Sequence, residues 1–557
     1  MDKAIEEILV DKGIITPQQL TEAVSQKNPG EHIYQSIVRL GLAKPKDVFS
    51  VLSTSTGIKY IELRNQKIQQ ACLEKVSPKI ALHYKFIPLK FEAGKLMLVM
   101  SDPLDVNKLD ELKILLDVEI EPVWGQEDDI LEAIQRYYGM GAEILEEMVA
   151  RSDIKERIDK KSKNVQDLEE VVEEASIIKF VNQILSQAVD ERATDIHLEP
   201  FENELRVRFR IDGFLYDVPI PDSIKYFHQS IVSRVKIMSN LDIAEHRLPQ
   251  DGRIKIRVKG EELDLRVSIL PTAYGEGLQI RILSSKSFLS LENLGLSQED
   301  SQIIHKLVER PYGIIFVTGP TGSGKSTTLY AALSRKNTPL IKIVTIEDPV
   351  EYQIRGILQI QVNPRISLNF AEGLRSILRH DPDIIMVGEV RDPETAEITI
   401  RSAMTGHLVF STLHTNDAFG APTRLIDMGI EPFLVASSLE GIIAQRLVRI
   451  VCSKCKSKKT MPSKVFKEQG IKIEQSDVEV FEGKGCPECR TTGYRGRTGI
   501  FEIVLVDEHL RNLIFDRVTS QKVKSEVLLR GGHTLRQDGL NKVLSGITTL
   551  EEVMRVT

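Results

Sequence analysis

The sequence predicts a multidomain α/β protein. A parallel-sheet phosphate-binding domain follows an α+β domain and a small N-terminal α/β domain, and it carries a four-cysteine insertion. Three observations predict this. "GIIFVTGPTGSGKSTTLYAAL" sets an apolar run, a glycine-rich turn and a helical stretch in succession, the context of a phosphate cradle. Several short segments between Asp195 and Leu283 alternate apolar and polar residues, as half-buried strands do. Four of the five cysteines form two C-x-x-C pairs.

The chain has 557 residues, which at ~150 residues per domain suggests three or four domains. A net charge of −7 argues against a dedicated nucleic-acid binder, as does the lack of an aromatic and basic groove signature. No run approaches the ~18 apolar residues of a membrane span. The start, "MDKAIEEILVDKG", lacks the basic-then-apolar layout of a signal peptide. The expected location is therefore the cytoplasm, where paired cysteines read as metal ligands rather than disulfides.

Residues 1–140 form the first expected domain. "ILVDKGIITPQQL" (Ile8–Leu20) resembles "SIVRLGLAKPKDV" (Ser36–Val48) at an offset of 28 residues, matching Gly13 to Gly41 and Pro17 to Pro45. Each unit reads as a helix, a glycine stop and a helix opened by proline. Residues 86–123 suggest a small α/β fold, closed by a helix at Leu131–Tyr138. Residues 141–175, dense in both charge signs, read as a solvated linker. Residues 176–288 form the α+β domain: Ser176 is expected to cap a helix bearing Ile177, Phe180, Val181, Ile184 and Leu185, and short arginine-bearing strands follow. From 289 to 557 strands and helices alternate as in a parallel sheet, with the cysteine subdomain at about 450–497.

Gly319, Gly322, Gly324, Lys325 and Ser326 satisfy G-x-x-x-x-G-K-[ST], with Pro320, Thr321, Ser323 and Thr327 completing the loop. The glycines let backbone N–H groups converge on phosphates, Lys325 neutralises the β/γ charge, and Ser326 reaches magnesium. The expected cofactors are thus ATP and Mg²⁺. "IKIVTIEDPVEY" ends a strand in Glu347, Asp348 and Glu351, and "DPDIIMVGEVRD" ends one in Glu389, with Gly388 where an aspartate is usual. Magnesium is therefore expected to be held through water on the acid side. Glu351 and Glu389 compete for orienting the attacking water. His407 and His414 bracket an apolar strand too long for one shared metal, so each is a separate candidate for sensing phosphate or a subunit seam. Cys452, Cys455, Cys486 and Cys489 form C-x2-C-x30-C-x2-C, four thiolates for a closed, structural Zn²⁺ site. Cys72 reads as an ordinary helix residue.

"GPTGSGKSTTLY", "TIEDPVEY", "DPDIIMVGEVRDPETAEI" and "TGHLVFSTLHTNDA", in this order and with the tetracysteine insertion, resemble the secretion ATPases, the motors of type II secretion and type IV pilus assembly. "ATDIHLEPFENELRVRFRIDG" and "LPQDGRI" resemble the second N-terminal domain of that family. The resemblance covers about Ser176 to Thr557, and the ending "GITTLEEVMRVT" is more similar to the type II branch. It implies a RecA-like ATPase domain after a PAS-like α+β domain, and a homohexamer at the cytoplasmic face of the inner membrane with ATP between the two domains. It further implies Glu351 as catalytic glutamate, Glu389 as Walker B acid, Arg266 and Arg281 as arginines closing on the phosphates, and Arg375 and Arg379 as interface arginines.

The N-terminal repeat also resembles a domain that in some relatives binds cyclic di-GMP through an R-L/I-G start to each unit. Here "MDKAIEEIL" and "EHIYQSI" stand at those starts, so the expectation is docking to membrane-platform and cytoplasmic-domain partners rather than cyclic di-GMP. Anionic lipid is a further candidate contact, and no nucleic acid is expected. The competing readings are a pilus-assembly or DNA-uptake motor, a nucleic-acid motor, and a nucleotide sensor without turnover. The locally basic "CSKCKSKKT" keeps the nucleic-acid reading open, whereas Lys325 and the two acids disfavour the sensor.

Overall fold

The computed structural model describes residues 5–28, 32–63, 66–92, 94–139, 142, 166–284, 290–468, 471 and 473–557. The chain divides into two compact units. One comprises Met1–Ile211, Leu215–Ile254 and Leu265–Ile282; the other comprises Asp212–Phe214, Lys255–Asp264 and Leu283–Thr557.

In the first unit the repeat becomes two helix pairs, Ile5–Asp11 with Pro17–Ser25 and Ile33–Arg39 with Pro45–Thr56. Gly13 and Gly41 both adopt left-handed backbone, at φ 69° and 67°, with open space where a side chain would stand. Conformation rather than crowding selects glycine at both stops. In "EHIYQSI", the ring of His32 lies 3.0 Å from Asp102 Oδ2, and the Tyr34 hydroxyl donates to Asp102 Oδ1 at 3.2 Å. A three-stranded sheet follows, β1 (Phe86–Glu92), β2 (Lys95–Met100) and β3 (Glu119–Trp124), with β1 antiparallel and β3 parallel to β2. The helix Glu127–Tyr138 covers it with Ile130, Ala133 and Ile134.

Residues 143–165, the middle of the expected linker, lie outside the described residues. Helix Gln166–Asp190 corrects the expectation for Ser176, which sits inside the helix rather than at its cap. "QDLEEVVEEA" holds no glycine or proline to stop a helix, so the chain is already helical at Gln166, ten residues earlier. Ile177, Phe180, Val181, Ile184 and Leu185 are buried as their spacing predicts. Six strands then form a sheet in the order β6-β5-β4-β9-β8-β7: β4 (Asp195–Pro200), β5 (Leu205–Ile211), β6 (Phe214–Asp217), β7 (Gln250–Val258), β8 (Glu261–Thr272) and β9 (Gly275–Ser284).

The second unit is built on a seven-stranded sheet. Its strands are β10 (Gly313–Thr318), β11 (Ile343–Glu347), β12 (Ile357–Gln361), β13 (Ile384–Val387), β14 (Leu408–Leu413), β15 (Leu439–Val451) and β18 (Tyr494–Leu505). The order is β12-β11-β13-β14-β10-β15-β18, and only β18 runs antiparallel. Every residue of β10, β11, β13 and β14 is buried, which is why these segments read as unbroken apolar runs. Between β15 and β18 a two-stranded ribbon, β16 (Lys456–Pro462) and β17 (Asp477–Gly483), carries the cysteine insertion. This is the RecA-like P-loop fold, preceded by the two smaller α/β arrangements.

Candidate nucleotide cradle and cysteine centre

Strand register assembles the site. Thr318 at the end of β10 pairs with Leu413 of β14 and with Ala444 of β15, so His414 and Gln445 flank the first glycine of the loop. Val387 pairs with Ile346 and Ser411, which sets Gly388 beside the end of β11 and Thr412. Gly319, Gly388 and His414 stand at the carboxyl ends of parallel strands, where open α/β sheets bind ligands, and Gln445 faces them from within β15.

The loop over 319–324 leads into helix Lys325–Lys336, whose N-terminus faces the cradle. Gly319 has φ 145°, and a Cβ there would lie 2.6 Å from both the Gln445 carbonyl and Ser323 Oγ. Lys325 Nζ donates to the carbonyls of Gly319 at 2.8 Å and Pro320 at 3.0 Å. Burial lowers its affinity for a proton, Glu389 opposes that, and Arg446 adds to it. Ser323 Oγ is buried and finds no partner among the described residues, which leaves a hydroxyl for a phosphate oxygen. Pro320, Thr321 and Ser326 are exposed, and Thr327 is half-buried at the helix start. These residues fit ATP: the loop amides, Lys325 and Ser323 would hold the phosphates, and Ser326 would offer its hydroxyl to Mg²⁺.

Glu389 is largely buried and bonded on both oxygens, to Arg391 at 2.5 Å and to the His414 ring at 3.1 Å. An aspartate at position 388 would press its Cβ to 3.2 Å from the Ile346 carbonyl and 3.3 Å from Glu347 Cα. Glu347 is buried and saturated: it accepts from the Tyr330 hydroxyl, from Thr345 Oγ1 at 2.6 Å and from Gln359 Nε2 at 3.1 Å. The Tyr330 oxygen also accepts from the Glu351 backbone N–H at 3.2 Å, so it ties the two glutamates together. Burial, then the charge of Glu347, raises the Tyr330 phenol far above its usual range and keeps it a donor. Asp348 is exposed, and its charge acts on Arg391.

Other sequence-predicted residues stand apart. His407 precedes β14, at the opposite end from His414, with its ring Nδ1 2.9 Å from the Ser402 carbonyl. Six strand residues separate the two histidines by ~20 Å, so in this chain His407 does not join the cradle. Arg375 is half-buried on helix Phe370–Ile377 and bonded to Glu372 and Glu394, while Arg379 donates to the Arg375 carbonyl at 3.0 Å. Arg266 lies half-buried on β8 in the first unit. Arg281 on β9 is exposed, and its Nε donates to Asp195 at 2.9 Å across the β4–β9 ladder.

Sequence reasoning missed three contributors. Gln445 accepts from the buried Thr328 hydroxyl at 2.6 Å and backs the loop. Arg446 donates to the carbonyls of Gln445 at 3.0 Å and Asn416 at 2.7 Å. Tyr330 is the third. The signal for the first two was a polar pair, "AQRLV", set between apolar residues of the strand.

The four cysteines converge. Sγ–Sγ distances are 3.8 Å for Cys452–Cys486, 3.7 Å for Cys455–Cys489 and 3.6 Å for Cys486–Cys489. A tetrahedron with Zn–S bonds of ~2.3 Å has edges of ~3.8 Å, so the donor set fits zinc. The backbone N–H groups of Cys486 and Gly493 approach Cys489 Sγ at 3.2 Å, orienting that thiolate.

Residues 170–555 match the profile of the family described as Type II/IV secretion system protein, and residues 56–144 match the MshEN domain. The chain is similar to the type IV pilus assembly ATPase PilB of Myxococcus xanthus (strain DK1622), with 41% identity over 562 residues covering 100% of this chain and 99% of that protein. It is similar to the type II secretion system protein E of Pseudomonas aeruginosa, with 50% identity over 393 residues covering 70% of this chain and 78% of that protein. Among solved structures it shares the fold of the Legionella pneumophila ATPase DotB, at a TM-score of 0.51 and 21% identity, over 68% of this chain and 95% of that one. On a cradle with this geometry, a profile match over most of the chain and relatives this similar, the chain belongs to the type II/IV secretion system protein family.

Proposed function

We propose that this chain is the ATPase of a type II secretion system, a cytoplasmic homohexamer peripheral to the inner membrane that turns ATP hydrolysis into the mechanical work of pseudopilus assembly. The observation that carries this reading is the convergence of Lys325, Glu389 and His414 on one loop at the carboxyl ends of parallel strands. ATP hydrolysis itself follows from the family. In this reading Lys325 and the loop amides hold the β- and γ-phosphates, Ser326 holds magnesium, and Glu389 acts on the metal's water shell. Glu351, moored through Tyr330, orients the attacking water, with Asp348 beside it. Arg266 and Arg281 supply positive charge as the γ-phosphate leaves. Arg375, Arg379 and His407 serve subunit seams. The four cysteines hold a structural zinc.

The domain division we adopt is 1–140 for docking to membrane-platform and cytoplasmic-domain proteins, 141–175 as linker, 176–288 as the arginine-bearing domain, and 289–557 as the ATPase domain. Among the described residues no helix is long and apolar enough to cross a membrane, which is compatible with peripheral association. A second reading, the assembly motor of type IV pili, is favoured by the end-to-end similarity to PilB. A Lys325→Ala strain separates them. Type II function predicts loss of protein export with surface pili intact, and pilus assembly predicts the reverse. Unchanged export and pili, with the variant chain present at normal level, would overturn both.

A further inference from the structure

A second group of metal-ligating side chains lies in the second unit, outside the cradle and the cysteine centre. Asp300, His533 and Asp538 each bring one ligand atom to within 4.8 Å of the others. Asp300 lies in the first turn of helix Gln298–Val308 and is fully buried. Its Oδ2 accepts from Ser297 Oγ at 2.7 Å and lies 3.4 Å from His533 Nε2. Its Oδ1 has no hydrogen-bond partner among the described residues, and the contact of Oδ2 with His533 Nε2 is an ion pair when the imidazole is protonated. Asp538 is buried as well, with Oδ2 accepting from Lys542 Nζ at 2.7 Å and from the Phe501 N–H at 2.9 Å.

With a neutral imidazole at His533, the protein alone leaves one of the two carboxylate charges uncompensated. Lys542 neutralises one carboxylate and spends a second donor on the Gly499 carbonyl at 2.7 Å. The other carboxylate, Asp300, has a hydroxyl, a helix N-terminus and the His533 ring at 3.4 Å, all of which leave its Oδ1 unpartnered among the described residues. A buried carboxylate oxygen left unpartnered carries the uncompensated loss of its hydration. Natural folds rarely leave such a group without a reason.

We propose that Asp300, His533 and Asp538 form a second metal site, for a divalent cation of the borderline class that imidazole and carboxylate share, such as Zn²⁺. Bonds of about 2.0–2.2 Å put ligand atoms about 3.3–3.6 Å apart in a tetrahedral site, so closure needs shifts of roughly 1 Å. His533, a quarter exposed, marks the side from which the ion enters and where water completes the coordination. Lys542 is the outer partner that orients Asp538. The ion would tie the helix leading into β10 to the helix Leu535–Leu544, and through Phe501 to β18.

Cobalt distinguishes this site from the cysteine centre, because only thiolates give intense sulfur-to-metal charge-transfer bands. The full chain, stripped with a chelator and titrated with Co²⁺, is expected to bind two equivalents, one with those bands and one with weak visible bands only. His533→Ala and the milder His533→Gln should each lose the second equivalent, weakening it at least tenfold, and keep the first. Cys486→Ser should lose the first and keep the second. A wild-type chain that binds one thiolate-ligated equivalent would overturn the proposal, since a proton shared by His533 and Asp300 would then fill the place. Survival of the second equivalent in both His533 variants would overturn it equally.

Discussion

Tyr330→Phe tests how the two glutamates are held. The hydroxyl donates to the buried Glu347 carboxylate and accepts from the Glu351 backbone N–H. The ring stays, so its edge-on contact with Tyr352, 4.6 Å between centroids at 82°, is kept and no cavity forms. Glu347 retains Thr345 and Gln359 as donors and loses one hydrogen bond to a charged acceptor, worth about 1.5–3 kcal/mol. The Glu351 N–H loses its acceptor as well. Stability should therefore fall by about 2–3 kcal/mol, read as a shift in denaturant midpoint. Displacing Glu351 by the order of 1 Å should cut kcat by roughly 10²-fold, with KM for ATP nearly unchanged. Wild-type kcat alongside the expected loss of stability would refute the idea that Tyr330 moors a catalytic Glu351.

The acids should separate by kinetics. Glu351→Gln is expected to trap bound ATP with little loss of affinity, and Glu389→Gln to shift the Mg²⁺ dependence of turnover; unchanged turnover in Glu351→Gln would move the water-orienting role to Glu389. Metal analysis should find about one zinc per chain at the cysteines, released by Cys486→Ser with loosening over residues 450–497 and no change in ATP affinity; a folded chain whose cysteines hold no zinc would contradict this. Glu502 is buried, and burial, then Asp417, pushes its carboxyl up to about 7 against the backbone N–H bonds it accepts from Ala418 and Leu535. The folded state then holds this proton more tightly than the unfolded state. Its contribution is intact below pH ~4.5 and is lost as pH rises to about 7, a decline of about 3 kcal/mol that should vanish in Glu502→Gln. Parallel pH profiles for both proteins would contradict it.

Much of the fold was legible because its signals are local. Unbroken apolar runs marked the parallel strands, and paired left-handed glycines marked the helix stops of the N-terminal repeat. The phosphate loop and the cysteine pairs were legible for the same reason: backbone and metal geometry confine them to short spacings. The start of helix Gln166–Asp190 was misread because Ser176 resembles a cap, while the charged run before it has no breaker. Tyr330 sits at a helical core position, and its hydroxyl gains meaning only once β11 brings Glu347 to it. Gln445 and Arg446 reach the loop through the β10–β15 register, and Asp300 meets His533 only through the tertiary fold. Such partners leave no spacing to read.

The central claim is that the loop containing Lys325 hydrolyses ATP. Its most direct test is steady-state phosphate release by the purified protein, wild type against Lys325→Ala, with zinc content and thermal midpoint as folding controls. Lys325→Ala removes the one ammonium that the loop carbonyls of Gly319 and Pro320 hold in the cradle. Turnover is expected to fall at least ~10²-fold with both controls unchanged, the scale expected when a preorganised charge at the phosphates is deleted. Turnover near wild type in the variant would contradict it.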